Sequence, residues 1–389
     1  MLINEMKKIN IKKKKILMRL DLNVPIKKNK ITSYARINSS LPTIKFALKQ
    51  NAKIIILSHL GRPQEGKYEK KYSLLPIVKY LKKKLQNTVI HFSNKIKNNI
   101  QIKYGEILVL ENVRFNKGEK KNCKKLSKQY ANLCDIFVMD AFGTSHRIEA
   151  STYGVGMFAK ISCAGPLLIS EIKSLKKAIK NPKKPVVTIL GGSKISTKFN
   201  ILKNLAKISD FVIVGGGIAN TFLAINYYVG NSIFEKNFIH SAKILKEKYN
   251  IFIPIDCKVK NKKNECITKP SHKILNNEEI MDIGEKSIKK IQKIIKNAKT
   301  IIWNGPIGVF ELQDFRLGTE KISHAIANNK EAFSIAGGGD TLAVIEMFNI
   351  KKKISYISTG GGAFLEFIEK KTLPAIQMLQ LKYLQKKSI

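Results

Sequence analysis

No apolar run in this 389-residue chain approaches the ~18–20 residues that span a bilayer, so no membrane partner is expected. The opening stretch "MLINEMKKINIKKKKILMRL" has scattered charge and no apolar segment ahead of a small-residue cleavage site. A secretory signal is therefore not expected, and the expected location is cytoplasmic. The five cysteines, Cys123, Cys134, Cys163, Cys257 and Cys266, form no C-x-x-C pair and no zinc-type His/Cys spacing. They read as reduced thiols. No Ser-His-Asp or Cys-His arrangement stands out, which argues against nucleophilic hydrolysis. No fixed short repeat is present, so a solenoid is not expected.

Acidic residues are also scarce: 28 Asp and Glu face 71 Lys and Arg, a formal charge of +43. The excess is spread as single lysines and short runs, such as residues 12–15, and accompanies abundant Ile and Asn. No basic segment is interleaved with aromatics as a base-stacking platform would be. Specific nucleic-acid binding is therefore not expected, though weak adhesion to polyanions at low salt is. A polyanion-binding protein is the alternative that this charge raises.

Short β-branched runs recur along the chain, each followed by a polar or glycine-rich turn and a helical pattern. "KIIILSHLGRP", "ILVLENVRF" and "DIFVMDAFGTSHR" lie in the first half; "VVTILGGSK", "FVIVGGG", "TIIWNGPIG" and "AFSIAGGGD" lie in the second. Continuous apolar runs of four to six residues suit strands buried on both faces. Alternation with segments such as "SLLPIVKYLKKKLQ" predicts βαβ units in parallel sheets. The fold class is thus α/β, with two doubly wound, Rossmann-like parallel-sheet domains. "LLISEIKSLKKAIKNPKKP", stopped by Pro182 and Pro185, is the expected connecting helix. The expected boundaries are 1–170, a linker at 171–185, a second domain at 186–372, and a tail at 373–389.

In such sheets ligands collect at the carboxyl ends of the strands. The early loops carry Arg36, His59, Arg62, Arg114, His146 and Arg147. Guanidinium forks match phosphate and carboxylate, so a small polyanion is the natural ligand. Asp21 and Asn23 either hold a substrate hydroxyl or cap the turn before Pro25. The later loops carry glycines at 191–192, 215–217, 305, 337–339 and 360–362, which let backbone amides approach a nucleotide closely. Lys194 and Lys198 follow the first of these, spaced to share one face of a helix. Asp340 opens the helical pattern "DTLAVIEMF", where it either caps the helix or holds Mg²⁺. An anion-binding half joined to a nucleotide-binding half points to phosphoryl transfer, which needs positioning and cations more than a base.

The motifs "RLDLNVP", "SYARINSSLPTI", "SHLGRP", "LENVRFNKGEKKN", "DAFGTSHR", "GGSKISTK", "GGGIANTF", "WNGPIGVFE", "AFSIAGGGDTLA" and "STGGGAFLE" occur in one order along nearly the whole chain. Together they resemble the phosphoglycerate kinase family. The resemblance implies a bilobal, hinge-bending glycolytic kinase, a monomer, that passes a phosphoryl group from 1,3-bisphosphoglycerate to MgADP after domain closure, giving 3-phosphoglycerate and MgATP. By motif, Asp21, Asn23, Arg36, His59, Leu60, Gly61, Arg62, Arg114 and Arg147 are implied as contacts to the glycerate substrate, in the first domain. Lys194 is implied to follow the transferring group and Lys198 to hold the nucleotide phosphates, with Arg36 also stabilising transfer. Gly192, Asn304, Gly305, Pro306, Glu311, Gly338, Gly339, Asp340 and Thr341 are implied on the nucleotide side, in the second domain, with Asp340 meeting Mg²⁺. The tail segment "LPAIQML" is implied to fold back on the first domain. Tyr34 and Met139 depart from the family pattern, at positions where an acidic residue and Asn are usual.

Overall fold

The structure, a computed structural model, describes residues 2–27, 30–96 and 101–387. The outer ends of the first and last expected ranges, residue 1 and residues 388–389, lie outside the described residues. The chain divides into two compact units, Met1–Ile172 with Lys370–Ile389, and Lys173–Glu369. Each is built on a six-stranded sheet whose pairings are all parallel.

In the first unit the spatial order is Ile90–Ser93, Ile107–Leu110, Lys53–Leu57, Lys15–Leu20, Ile136–Asp140, Ile161–Ala164. Both strands that flank Lys15–Leu20 follow it in the chain, the strands up to Ile107–Leu110 on one side and Ile136–Asp140 on the other. The switch point where α/β sheets collect ligands therefore lies between Lys15–Leu20 and Ile136–Asp140. In the second unit the order is Ile251–Phe252, Phe211–Val214, Val186–Leu190, Thr300–Asn304, Phe333–Ala336, Tyr356–Ile357. Its switch point lies between Val186–Leu190 and Thr300–Asn304. A separate antiparallel sheet, Cys266–Pro270, Asp256–Lys260 and Glu279–Ile283, belongs to this unit.

The apolar runs form these strands because both faces are covered. Val187, Ile189, Ile301 and Trp303 pack with Ile322, Ile326 and Val344 on one side. Leu190, Val212 and Val214 pack with Leu202 and Phe222 on the other. The connecting helix begins earlier than the expected linker, spanning Pro166–Ile179. Proline suits the first helical position, where no backbone donor is needed, and the helix stops before Pro182. The C-terminal helix Pro374–Lys387 packs in the first unit: Met378 lies against Gly156, and Ala375 N–H donates to Ser145 O at 3.0 Å. All five cysteines are free, and no described helix is long and apolar enough to cross a membrane. Of the two departures, Tyr34 caps helix Ala35–Lys49 with no side-chain bond and stacks on Tyr80 at 4.2 Å. Met139 is buried in its strand, beside Arg19.

One buried carboxyl gives the fold a pH dependence. Asp140 ends its strand fully buried, with Thr43 Oγ1 donating at 2.5 Å and Leu168 N–H at 2.9 Å. Burial pushes its pKa up to about 7. A carboxyl with a raised folded-state pKa binds its proton more tightly folded than unfolded. Its stabilising contribution is complete below the unfolded value and is lost as pH rises through about 7. Asp140→Asn supplies an uncharged side chain with one donor and one acceptor for the same two partners. It is expected to reduce the fall in thermal midpoint between about pH 4 and pH 7, measured by circular dichroism, with Glu119 and Asp282, also raised to about 7 by burial, supplying the rest. An equally steep fall in the variant would assign the dependence elsewhere.

Candidate active site

The first half-site grows from the loops that leave the strands at the first switch point. Asn23 anchors it: its Oδ1 accepts from Gly61 N–H at 2.9 Å, and its carbonyl accepts from Arg36 Nη1 at 2.8 Å. Arg36 also pairs with Asp21, at 3.4 Å to Oδ2. Gly61 has φ +62°, and a Cβ there would meet the Tyr72 ring at 2.3 Å. Arg114 is buried and donates from Nη1 to Gly61 O at 2.5 Å. Asn112 Nδ2 donates to Leu60 O at 2.7 Å. The loop His59–Arg62 is therefore pinned from both sides, with Arg62 exposed at its end.

His59 is buried beside three arginines. Burial, then the charges of Arg19, Arg147 and Arg36, holds its pKa well below the ordinary histidine value. Arg19 Nη2 lies 3.2 Å from His59 Nδ1, and arginine has donors only. Nδ1 therefore accepts, and the neutral ring keeps its proton on Nε2. Arg19 is itself fully buried in its strand, bonding Ser151 Oγ at 3.0 Å and Leu20 O at 2.6 Å. The sequence signal for it was a charged residue inside the apolar run "KILMRL", which motif reasoning passed over.

Arg147 Nη1 lies 3.5 Å from Glu149 Oε1, and Arg114 Nη2 lies 3.6 Å from the same oxygen. The basic patch thus carries two carboxylates of its own, Asp21 and Glu149. Nothing in the spacing of "SHRIEAST" marked Glu149 as part of it.

The second half-site grows from glycine loops at the other switch point. A Cβ at Gly191 would meet Pro306 O at 1.7 Å, so these two strand-end loops touch backbone to backbone. Thr341 Oγ1 receives Gly305 N–H at 2.7 Å and donates to Gly337 O at 2.9 Å; Asn304 Nδ2 donates to Gly337 O at 2.6 Å. Both side chains brace one glycine loop against another. Asn304 Oδ1 stays buried without a partner. Around these loops opens a cavity of about 410 Å³, lined by Gly192, Gly216, Pro306, Glu311 and Asp340 and by Met281 of the antiparallel sheet. That volume is in the range of small-ligand sites. Met281 carried no sequence signal, because it enters from a separate sheet.

Two local expectations are corrected here. Lys194 and Lys198 do not share a helix face: the helix spans Phe199–Ala206, with Lys198 at its N-cap and Lys194 in the loop before it. Glu235 takes both the N–H and the hydroxyl of Ser196 at 2.6 Å, and Thr197 Oγ1 donates to Lys194 O at 2.9 Å. These side-chain bonds hold the segment in a turn and delay the helix. Asp340, in turn, lies inside the first turn of Gly339–Met347, and Gly338, at φ +108°, takes the cap position.

Lys198 is half-buried and donates from Nζ to Gly191 O at 2.5 Å. Burial lowers its pKa, and the charge of Asp340 opposes that shift. Lys194 is exposed. Among the described residues no group of three or more His, Cys, Asp or Glu side chains could hold a metal ion.

A family model described as phosphoglycerate kinase matches residues 6–371. A phosphoglycerate kinase of Buchnera aphidicola subsp. Schizaphis graminum (strain Sg) is 65% identical over 382 residues, covering 97% of this chain and 98% of that protein. One of Buchnera aphidicola subsp. Baizongia pistaciae (strain Bp) is 59% identical, covering 96% and 95%. The solved structure of phosphoglycerate kinase from Coxiella burnetii superposes with a TM-score of 0.91 at 46% identity, covering 98% of this chain and 99% of that one. With family match, relatives and fold agreeing end to end, the chain belongs to the phosphoglycerate kinase family, the glycolytic kinases that reversibly transfer a phosphoryl group between 1,3-bisphosphoglycerate and ADP.

Proposed function

We propose that the basic patch of the first unit holds the glycerate ligand and that the glycine loops of the second hold the nucleotide. The observation that carries this reading is the convergence of Asp21, Asn23, Arg36, Gly61 and Arg114 in one hydrogen-bonded cluster at the carboxyl ends of a single sheet, with His59, in the same loop as Gly61, bonded to the buried Arg19. The substrate phosphate and glycerate oxygens fall to Arg62, Arg114, Arg147 and the Nε2–H of His59, with Arg36 facing the acyl end. Leu60 presents backbone only, and Asp21 and Asn23 receive the hydroxyl. On the other unit Gly192, Gly305, Pro306, Gly338 and Gly339 offer close backbone approach. Glu311, exposed at the cavity rim, accepts from a ribose hydroxyl. Asn304 and Thr341 shape the phosphate loop through the bonds described.

When ATP is made, a β-phosphate oxygen of ADP forms a bond to the acyl-phosphate phosphorus. The bond from phosphorus to the carboxyl oxygen breaks, and the electron pair leaves with 3-phosphoglycerate as carboxylate. Nucleophile and leaving group are both ionised at neutral pH, so the residues need move no proton. Their work is to neutralise oxygens during in-line transfer, a role for Arg36, Lys194 and Lys198. Asp340 is exposed on the cavity wall beside Lys198, one carboxylate where a nucleotide's phosphates would lie. That donor set fits Mg²⁺ carried mainly by phosphate oxygens, which supplies charge neutralisation when bound.

The test is ATP turnover with purified 3-phosphoglycerate, with and without Mg²⁺, across 3-phosphoglycerate concentrations. Mg²⁺-dependent, saturable turnover supports the reading; turnover indifferent to Mg²⁺ removes Asp340's role. Gly61→Ala tests the patch separately. Its positive φ and the Tyr72 contact impose strain of about 1–3 kcal/mol on the pinned loop. KM for 3-phosphoglycerate is expected to rise on the order of tenfold with KM for ATP unchanged. If both stay at wild-type values, the loop does not contact the substrate.

A further inference from the structure

Glu149 stands out inside the basic patch because nothing in the reaction calls for an extra carboxylate there. It is 6% exposed, and its Oε1 lies between two guanidinium groups, 3.6 Å from Arg114 Nη2 and 3.5 Å from Arg147 Nη1. Both distances exceed the ~2.7–2.9 Å of a strong charge-assisted bond. Its other oxygen, Oε2, is buried with no hydrogen-bond partner, and so is the Nε of Arg114. The carboxylate also caps the turn Ala150–Gly154, where it accepts from the Thr152 N–H, but toward the two arginines it is held by charge and not by short bonds. Asp21 likewise accepts a backbone N–H, from Asn23 at 3.2 Å, but pairs with one arginine where Glu149 lies between two.

A carboxylate bridging two arginine forks sits where an anionic oxygen of the substrate would draw the same charges. We infer that Glu149 is an internal counter-ion, an affinity-setting residue that competes with the glycerate ligand's anionic end for Arg147 and Arg114. The inference rests on the proposed reading of those arginines as substrate contacts. Its chemical consequence is weaker binding of 3-phosphoglycerate, which speeds exchange at the patch. A charge retained beside a polyanion raises the free energy of the complex, while the empty patch keeps its arginines neutralised and in place.

Glu149→Gln keeps the shape and removes the charge. KM for 3-phosphoglycerate is expected to fall roughly tenfold, as is its Kd by isothermal titration calorimetry, with KM for ATP unchanged. Glu149→Asp keeps the charge, so its KM is expected to stay above that of Glu149→Gln; this variant guards against reading a packing change as an electrostatic one. In an Arg147→Ala background the gain from Glu149→Gln is expected to shrink, because the two side chains act on each other. A KM that is unchanged or raised in folded Glu149→Gln overturns the inference and makes Glu149 a brace. If Arg147→Ala alone leaves KM untouched, the substrate-patch reading fails instead. The two failures are therefore distinguishable.

Discussion

Lys194→Ala is expected to lower kcat on the order of 10²–10³-fold while leaving nucleotide affinity near wild type. The two lysines of "GGSKISTK" differ in a way that their spacing alone did not show. Lys198 is half-buried, with its ammonium on the carbonyl of Gly191 and its charge felt by Asp340. Such a side chain is committed to the glycine loop and to whatever lies on it. Lys194 is exposed, while its backbone carbonyl is fixed by the Thr197 hydroxyl and the neighbouring Ser196 is fixed by Glu235. A fixed backbone with an exposed ammonium suits a charge that meets its partner only as the phosphoryl group moves. Binding energy realised only in the transition state raises kcat without lowering KM. Titrating ADP in steady-state assays of Lys194→Ala and Lys198→Ala separates the two. The first should lose kcat, and the second should lose nucleotide affinity as well. Wild-type kcat in Lys194→Ala would remove it from the transfer step.

The strands were legible because burial on both faces leaves a simple mark, and runs such as "KIIIL" and "TIIWN" became sheet interior. Loop chemistry was legible where a residue type has few uses: glycine at a close backbone approach, arginine at a strand end. Features fixed by residues distant in sequence were not. The helix after "GGSK" starts late because Glu235, 39 residues downstream, holds Ser196. Met281 reaches the cavity of the second unit from a sheet whose strands carry no glycine signal. Glu149 follows Arg147 at a spacing that reads as solvated charge, and only the fold shows Arg114 on its other side. Tyr34 is likewise explained by Tyr80, 46 residues on, which stacks on its ring.

Arg36→Ala is the second change expected to be severe, lowering kcat on the order of 10²–10³-fold. The cause is preorganisation as well as charge. Arg36 Nη1 is spent on Asn23 O at 2.8 Å, with Asp21 close by, so the guanidinium is oriented before any ligand arrives. Asn23 in turn holds Gly61, so Arg36 is joined by hydrogen bonds to the loop that carries Arg62. Removing it takes away the charge proposed to face the acyl phosphate and leaves Asp21, 4% exposed, without its cation. An unpaired buried carboxylate costs more than the ~1–3 kcal/mol of an unsatisfied neutral group, so the thermal midpoint should fall too. Arg36→Lys separates the two effects. A lysine restores one charge near Asp21 and with it much of the stability. A single ammonium cannot reproduce the planar fork that bonds Asn23 while presenting further donors to a ligand. Stability is therefore expected to recover in Arg36→Lys while kcat stays low. Recovery of both would reduce Arg36 to a simple counter-charge, and recovery of neither would make it chiefly a structural residue.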